Sequence, residues 1–364
     1  MCVALLSLCV WLYLFFAHGA FWRSRPELLP AVAPEFPDVD IIVPARNEAD
    51  TIGAAIGSLL AQDYRGTFRI ILVDDNSTDA TSASAGAAPN LQLIRLDSKP
   101  PGWSGKLWAL SRGIEDSRAP IVLFTDADIV HDPRHLSALV AQLLRARLDL
   151  VSEMVRLNCD SFAERALVPA FVYFFQMLYP FAKVNDPRSS VAAAAGGTVL
   201  IRRAMLERIG GIEAIKNSLI DDVALAKAVK PIGRIYLGHS QLAASIRRYP
   251  AFADLWRMIS RTAFTQLRHS AALLCLTLAA LTLVWLVPPA AALLGSGWGF
   301  MCGLTACLLA AGSFVPTLSR YGRSYLWAAA LPLIAMFYMA ATVGSALNFW
   351  RGSGANWKSR TYRH

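Results

Sequence analysis

Asp126 and Asp128 stand two residues apart in Phe124-Thr-Asp-Ala-Asp128, directly after the apolar run Pro120-Ile-Val-Leu-Phe124. Apolar β-branched residues leading into Thr-Asp-x-Asp predict a buried strand ending at the carboxyl edge of a sheet. Open α/β sheets bind ligands at that edge. Two hard oxygen donors fixed there suit a divalent cation, Mg2+ or Mn2+, bridging a diphosphate. Taken alone, Asp-x-Asp is more often a solvated turn after a strand. Its weight comes from the company it keeps.

The elements that would position the pair can be read from the flanking sequence. Val39 to Pro44 predicts a first strand, and Glu48 to Gln62 a helix with apolar positions at Ile52, Ala55, Ile56, Leu59 and Leu60. Phe68 to Asp74 predicts a second strand, and Asn76-Ser-Thr-Asp79 offers capping residues for the helix that follows. Leu91 to Leu96 is a third strand, Lys106 to Glu115 a helix, and Ile121 to Thr125 the fourth strand. Strands alternating with helices predict an α/β fold with a mostly parallel sheet covered on both faces. The turn after the first strand reads Pro44-Ala-Arg-Asn-Glu48, not Gly-x-Gly-x-x-Gly, and no Walker sequence occurs. Both observations argue against a nicotinamide dehydrogenase and a P-loop hydrolase.

The 364 residues are 55% hydrophobic and 17% charged, apolar for a soluble enzyme. The excess is concentrated. No charged residue or histidine occurs from Ala271 to Ser319 or from Ser324 to Trp350, and the first twenty-two residues carry only His18. The net charge of +9 does not gather into an Arg/Lys-rich arm. Many basic residues flank the apolar runs instead, among them Arg23, Arg25, Arg257, Arg261, Arg268, Arg320, Arg323, Arg351, Lys358, Arg360 and Arg363. That placement points to membrane topology and anionic headgroups, and away from nucleic acid. Five of the six cysteines lie in apolar runs and none forms Cys-x-x-Cys, so neither a zinc site nor a disulfide framework is indicated.

Four strings now bear on function together: Ile-Ile-Val-Pro-Ala-Arg-Asn-Glu (41–48), Val-Asp-Asp-Asn-Ser-Thr-Asp (73–79), Gly-Lys-Leu-Trp-Ala-Leu (105–110) and Thr-Asp-Ala-Asp (125–128). Their order resembles that of family 2 inverting glycosyltransferases, most nearly the hopene-associated membrane enzymes. The resemblance implies the GT-A nucleotide-diphospho-sugar fold. It implies that Pro44, Ala45, Arg46, Glu48 and Asp75 line the base and ribose pocket, with helix capping as the alternative for Asp75. Lys106, a compact cation near a helix opening, would neutralise the donor diphosphate, or is a surface lysine. Asp126 and Asp128 would hold the metal, with Asp128 the firmer ligand and Asp126 also a candidate for the ribose. Asp221 and Asp222 occupy the place of the family's Glu-Asp pair, so Asp222 is the expected base and Asp221 its support; amino-terminal charges on a helix explain them too. Gly196 and Gly197 would lie near the acceptor, or form a tight turn. Ser245-Ile-Arg-Arg-Tyr249 falls where polymerising relatives carry Gln-x-x-Arg-Trp; Arg248 matches, while Ser245 and Tyr249 depart. The departure argues against a processive polysaccharide synthase, and Arg247 or Arg248 would contact the donor.

The expected plan is an anchor at 1–22, a Pro-rich linker at 23–38, a catalytic domain at 39–250, an amphipathic interfacial helix at 251–269, about three spans within 270–350, and a basic tail at 351–364. Met1 to Trp22 reads as a retained bilayer-spanning helix, because the basic residues follow the apolar run. Leu167 to Ala182, aromatic and broken by Pro169 and Pro180, is either interfacial or packed within the domain. Pro288-Pro289 is a candidate site for a re-entrant span. The expected activity is transfer of a sugar from a nucleotide diphosphate, UDP by resemblance, to a lipid hydroxyl, a hopanoid by resemblance. The enzyme would lie in the inner (cytoplasmic) membrane with its catalytic domain facing the cytoplasm. A polysaccharide synthase and a non-catalytic scaffold are the alternatives.

Overall fold

A computed structural model of the chain describes residues 1–352 and the backbone of a short antiparallel pair, Ala355–Trp357 with Arg360–Tyr362. The rest of the basic tail, with Lys358 and Arg363, lies outside the described residues. The chain divides into two compact units, one of residues 25–158 and 183–248, the other of residues 1–24, 159–182 and 249 onward.

The first unit is built on one sheet of nine strands: β1 (Glu27–Leu28), β2 (Val39–Ala45), β3 (Phe68–Asp74), β4 (Leu91–Arg95), β5 (Ile121–Thr125), β6 (Ile129–His131), β7 (Leu150–Arg156), β8 (Thr198–Arg202) and β9 (Ile235–Ser245). Their order is β1-β9-β7-β8-β5-β2-β3-β4, with β6 on β9. β5, β2, β3 and β4 run parallel, whereas β8 is antiparallel to both β5 and β7. β2 and β5 are buried along their whole length. This is the pattern of Val/Ile/Leu strands covered on both faces. The sheet is therefore the mostly parallel α/β sheet expected, with β6 reversed beside β9 and β8 reversed at its centre.

That reversal places the site. The start of β8 meets the end of β5, with Thr125 opposite Thr198 and Ile121 opposite Arg202. The Gly105–Asp116 helix lies close on β2: a Cβ on Gly113 would stand 2.5 Å from Ile42 Cγ2, which only glycine tolerates. Asp40 ties the far end of this helix to β2, accepting from Ser117 Oγ (2.8 Å), Arg118 N (2.7 Å), Ala119 N (3.0 Å) and Arg69 Nε (3.1 Å). Burial works against its charge, but Arg69 and these donors outweigh it and hold the carboxyl below its usual range.

In the second unit three helices are long and apolar enough to cross a membrane: Ala271–Leu294, Gly297–Arg320 and Tyr325–Trp350. The amino-terminal helix differs from expectation. It covers Cys2–Phe16, 15 residues, and ends where Gly19 and Ala20 turn to φ 65° and 46°. At about 1.5 Å per residue it is shorter than the roughly 30 Å hydrocarbon layer. Pro169 does not break its segment either, since the Phe162–Leu178 helix runs through it and ends just before Pro180. This helix belongs to the apolar unit: Tyr173 Oη lies 2.6 Å from Ser313 Oγ, and Tyr338 Oη donates to Leu167 O (2.9 Å). The Phe252–Gln266 helix buries Leu255, Ile259 and Phe264.

Pro288-Pro289 leaves its segment helical. A π-turn over Thr282–Leu286 precedes the prolines. Prolines lack N–H groups, so carbonyls one turn earlier lose their donors. Ser7 Oγ donates to Leu283 O (2.7 Å) and Trp11 Nε1 to Val284 O (2.8 Å), replacing them.

Candidate active site

Residues from three distant stretches converge at the end of β5. Ser104 caps the Gly105–Asp116 helix, its side chain accepting from Leu107 N (3.2 Å), and this sets Lys106 in the first turn. Lys106 Nζ stands 2.9 Å from Asp126 Oδ1 and 3.0 Å from Asp221 Oδ2. Asp221 and Asp222 open the Asp221–Val229 helix, where the macrodipole favours negative charge. Gly196 closes the group, since a Cβ there would lie 3.2 Å from Asp222 Oδ2 and 3.4 Å from Lys106 Nζ. Beneath these polar tips an apolar floor is lined by Leu107, Leu110, Phe124, Val199 and Leu225.

Asp128 belongs to a second cluster. Its Oδ2 accepts from Arg247 Nε (2.8 Å) and Ser245 Oγ (3.1 Å), and Arg247 Nη2 reaches Glu48 Oε1 (2.7 Å) and Oε2 (2.9 Å). Asp126 and Asp128 are thus each held by a cationic side chain. Among the described residues no group of three or more His, Cys, Asp or Glu gathers as a metal site. A divalent cation fits the hard oxygen chemistry of the pair only if other ligands come from elsewhere, as a diphosphate and water would provide.

The loops after β2 and β3 are stapled to one another. Arg46 Nη1 donates to Asp75 O (2.5 Å) and Asn76 O (2.8 Å), Thr78 N to Asn47 Oδ1 (2.9 Å), and Glu48 N to Thr81 Oγ1 (2.8 Å). Asn47 and Asn76 take left-handed backbone, φ 50° and 54°, a conformation asparagine adopts more readily than most residues. Asp75 is buried, 1% exposed.

Residues 40–210 match the family described as glycosyl transferase family 2. That range carries Asp75, Lys106, Asp126 and Gly196, and so most of the converging cluster. Residues 40–210 are a family 2 glycosyltransferase domain. The chain is 30% identical over 123 residues to a dodecaprenyl-phosphate galacturonate synthase of Rhizobium johnstonii, covering 31% of this chain and 35% of that one. It is 35% identical over 222 residues to a beta-monoglucosyldiacylglycerol synthase of Synechocystis, covering 56% and 43%. The chain therefore spans less than half the length of these curated relatives. A mannosyltransferase from Pyrobaculum calidifontis, solved with GDP-Man and Mn2+, superposes with a TM-score of 0.57 at 19% identity, covering 94% of this chain and 98% of that one. That likeness shows the GT-A fold.

Electrostatics in the converging cluster are set by three carboxylates around one ammonium. Burial raises the Asp222 carboxyl, Asp221 repels its charge further, and Lys106 only partly offsets them, leaving it at about 7. Burial also raises Asp126, against the attraction of Lys106. Burial opposes the charge on Lys106 itself, but Asp126 and Asp221 outweigh it and hold the ammonium protonated.

Of the residues singled out in the sequence, Lys106, Asp126, Gly196, Asp221 and Asp222 form the first cluster, and Glu48 and Asp128 the second. Ala45 and Arg46 hold Asp75 in the stapled loops, Ala45 O accepting from Asp75 N (2.9 Å). Pro44 lines the cavity, and Gly197 O accepts from Asp126 N (3.3 Å). Arg247 is the residue brought to Asp128, while Arg248 is exposed. The helix after β3 runs Thr81–Ser84 with Ala80 before it; of the expected capping stretch 76–79, Asp79 Oδ1 accepts from Thr81 N (3.0 Å), while Asp74 accepts from Ser77 N (2.9 Å). Ser245 was legible only as a departure from a motif, yet it holds Asp128.

Gly196→Ala tests the crowding at Asp222. The new methyl displaces the carboxylate by a few tenths of an ångström, against a cost of about 100-fold per ångström of misplacement. Turnover should fall several-fold while the melting midpoint stays near wild type; steady-state kinetics beside thermal melts read both.

Proposed function

We propose that the protein transfers a sugar from a nucleotide diphosphate to a lipid hydroxyl at a membrane surface, with inversion. The observation that carries this reading is the convergence of Lys106, Asp126, Asp221 and Asp222 at the end of β5. Asp222 takes the acceptor proton as the acceptor oxygen forms its bond to the sugar's anomeric carbon. The bond to the diphosphate breaks on the opposite face, and its electron pair leaves with the nucleoside diphosphate. A base near neutrality is suited to this step. Lys106 and Arg247 neutralise the diphosphate, and Asp75, with the stapled loops, forms the nucleotide pocket. Asp126 and Asp128 would hold a divalent cation, which would supply electrophilic stabilisation of the departing charge.

Support for a lipid acceptor comes from relatives whose names specify dodecaprenyl phosphate and diacylglycerol products, and from the three apolar helices. The motif resemblance makes UDP the first nucleotide, and a hopanoid the first acceptor, to test. Arg257, Arg261, Arg268, Arg320 and Arg323 flank the apolar helices, which supports a multi-pass protein of the inner membrane with the family 2 domain in the cytoplasm.

The test is mass spectrometry of lipids after incubation with UDP- and GDP-sugars and Mn2+; no glycosylated lipid from any donor would sink the reading. The pH dependence gives a second check. Since the ionised form of Asp222 is the base and its carboxyl lies at about 7, kcat/KM should drop tenfold per unit as pH falls below that value. An acidic limb near 4 would remove Asp222 from the role.

A further inference from the structure

Two imidazoles and a carboxylate lie in the core beside the proposed site, and the transfer chemistry uses none of them. His131 (4% exposed), His135 (1%) and Glu153 (0%) come from β6, the first turn of the His135–Arg145 helix, and β7. Burying such groups costs several kcal/mol without partners, so their arrangement calls for a purpose.

The hydrogen bonds run in one direction. Thr125 Oγ1 donates to Gly197 O at 3.0 Å, which uses its only hydrogen. His131 Nε2, 3.1 Å from the same oxygen, must then be the donor. Burial pulls the His131 imidazole well below its ordinary range, and His135 lowers it further, so the ring is neutral and its Nδ1 accepts. The partner at 2.8 Å is His135 Nδ1, which therefore donates. The rings are near-parallel, 24° apart. At the far end His135 Nε2 lies 2.5 Å from Glu153 Oε1, without hydrogen-bond alignment. The chain ends on Gly197 O, which also accepts from Asp126 N. It thereby fixes the end of β5 against the start of β8, and with it Asp126 and Gly196.

We propose that Glu153, His135, His131 and Thr125 form a positioning chain that holds Asp126 and the Gly196–Gly197 wall in the geometry required for transfer. The proposal rests on the transferase reading for its kinetic consequence, though not for its structural one.

The test uses the full-length protein in detergent, with Thr125→Val, Thr125→Ser, His131→Phe, His131→Gln and the double variant Thr125→Val/His131→Phe. Kinetics are measured on whichever of UDP-glucose, UDP-N-acetylglucosamine or GDP-mannose the wild type cleaves with Mn2+ and a bacterial lipid extract. Hydrogen exchange is followed in the 121–128 and 194–202 peptides. Thr125→Val, nearly isosteric, should lower kcat by about tenfold with the donor KM within twofold, and expose both peptides. Thr125→Ser and His131→Gln, which keep a donor at each place, should recover most of the loss. The double variant should be no worse than either single, because both break one chain. Wild-type kcat and protection in Thr125→Val would overturn the proposal, as would losses that simply multiply. A wild type that cleaves none of the donors counts against the transferase reading, while the exchange result still decides the chain.

Discussion

Asp222→Asn should abolish transfer while making the folded protein more stable. The amide cannot accept the proton, and loss of a positioned base costs about 10²–10⁴-fold. Stability moves the other way. The folded-state carboxyl lies at about 7, above its ordinary 3.8, so the native state binds the proton more tightly than the unfolded chain does. Stability from this group is present below about 3.8 and is lost as pH rises through about 7. Asparagine carries no charge to be repelled by Asp221 and Asp126. The variant should therefore melt higher than wild type at pH 8 and with no advantage at pH 4. Melting at both pH values, beside a turnover assay, checks the pair of effects. An Asp222→Asn protein that melts lower at pH 8 would show that the carboxylate is held for structure.

Lys106→Met should be the converse, costly to fold as well as to function. Removing one partner of a fully buried ion pair costs about 3–5 kcal/mol. Here the lysine is 23% exposed and its partners 34% and 22%, so solvent screening reduces the expected loss to about 2 kcal/mol. Three carboxylates would then face one another without a cation between them. Protonating them removes the repulsion, so the defect should fade at pH 4. Mn2+ with UDP replaces part of the lost charge and should raise the variant's midpoint more than the wild type's. Equal midpoints for variant and wild type at pH 8 would show that Lys106 is a surface lysine.

The fold was legible because its signals are local and repeated. β3 and β5 were bounded correctly from apolar runs, since a strand buried on both faces has few polar residues to blur its ends. The antiparallel β8 was not legible as such: Thr198–Arg202 reads as a strand, but direction within a sheet leaves no mark on five residues. The site was legible where residue type is tied to chemistry, as with Asp126, Asp128 and Asp222. It was not where residues act through the backbone. Thr125 and Thr81 look like ordinary strand and helix residues, yet their hydroxyls fix Gly197 and Glu48. His131 and His135 passed unnoticed because four-residue spacing on a strand–turn–helix path reveals no contact.

The proline pair in the Ala271–Leu294 helix has a consequence for how the protein is made. Its orphaned carbonyls are met by Ser7 and Trp11, which leave the ribosome some 280 residues earlier. A nascent chain must keep that first helix available until the prolines arrive. The hydroxyl of Ser7 and the indole of Trp11 thus tie the first helix of the chain to a helix made much later.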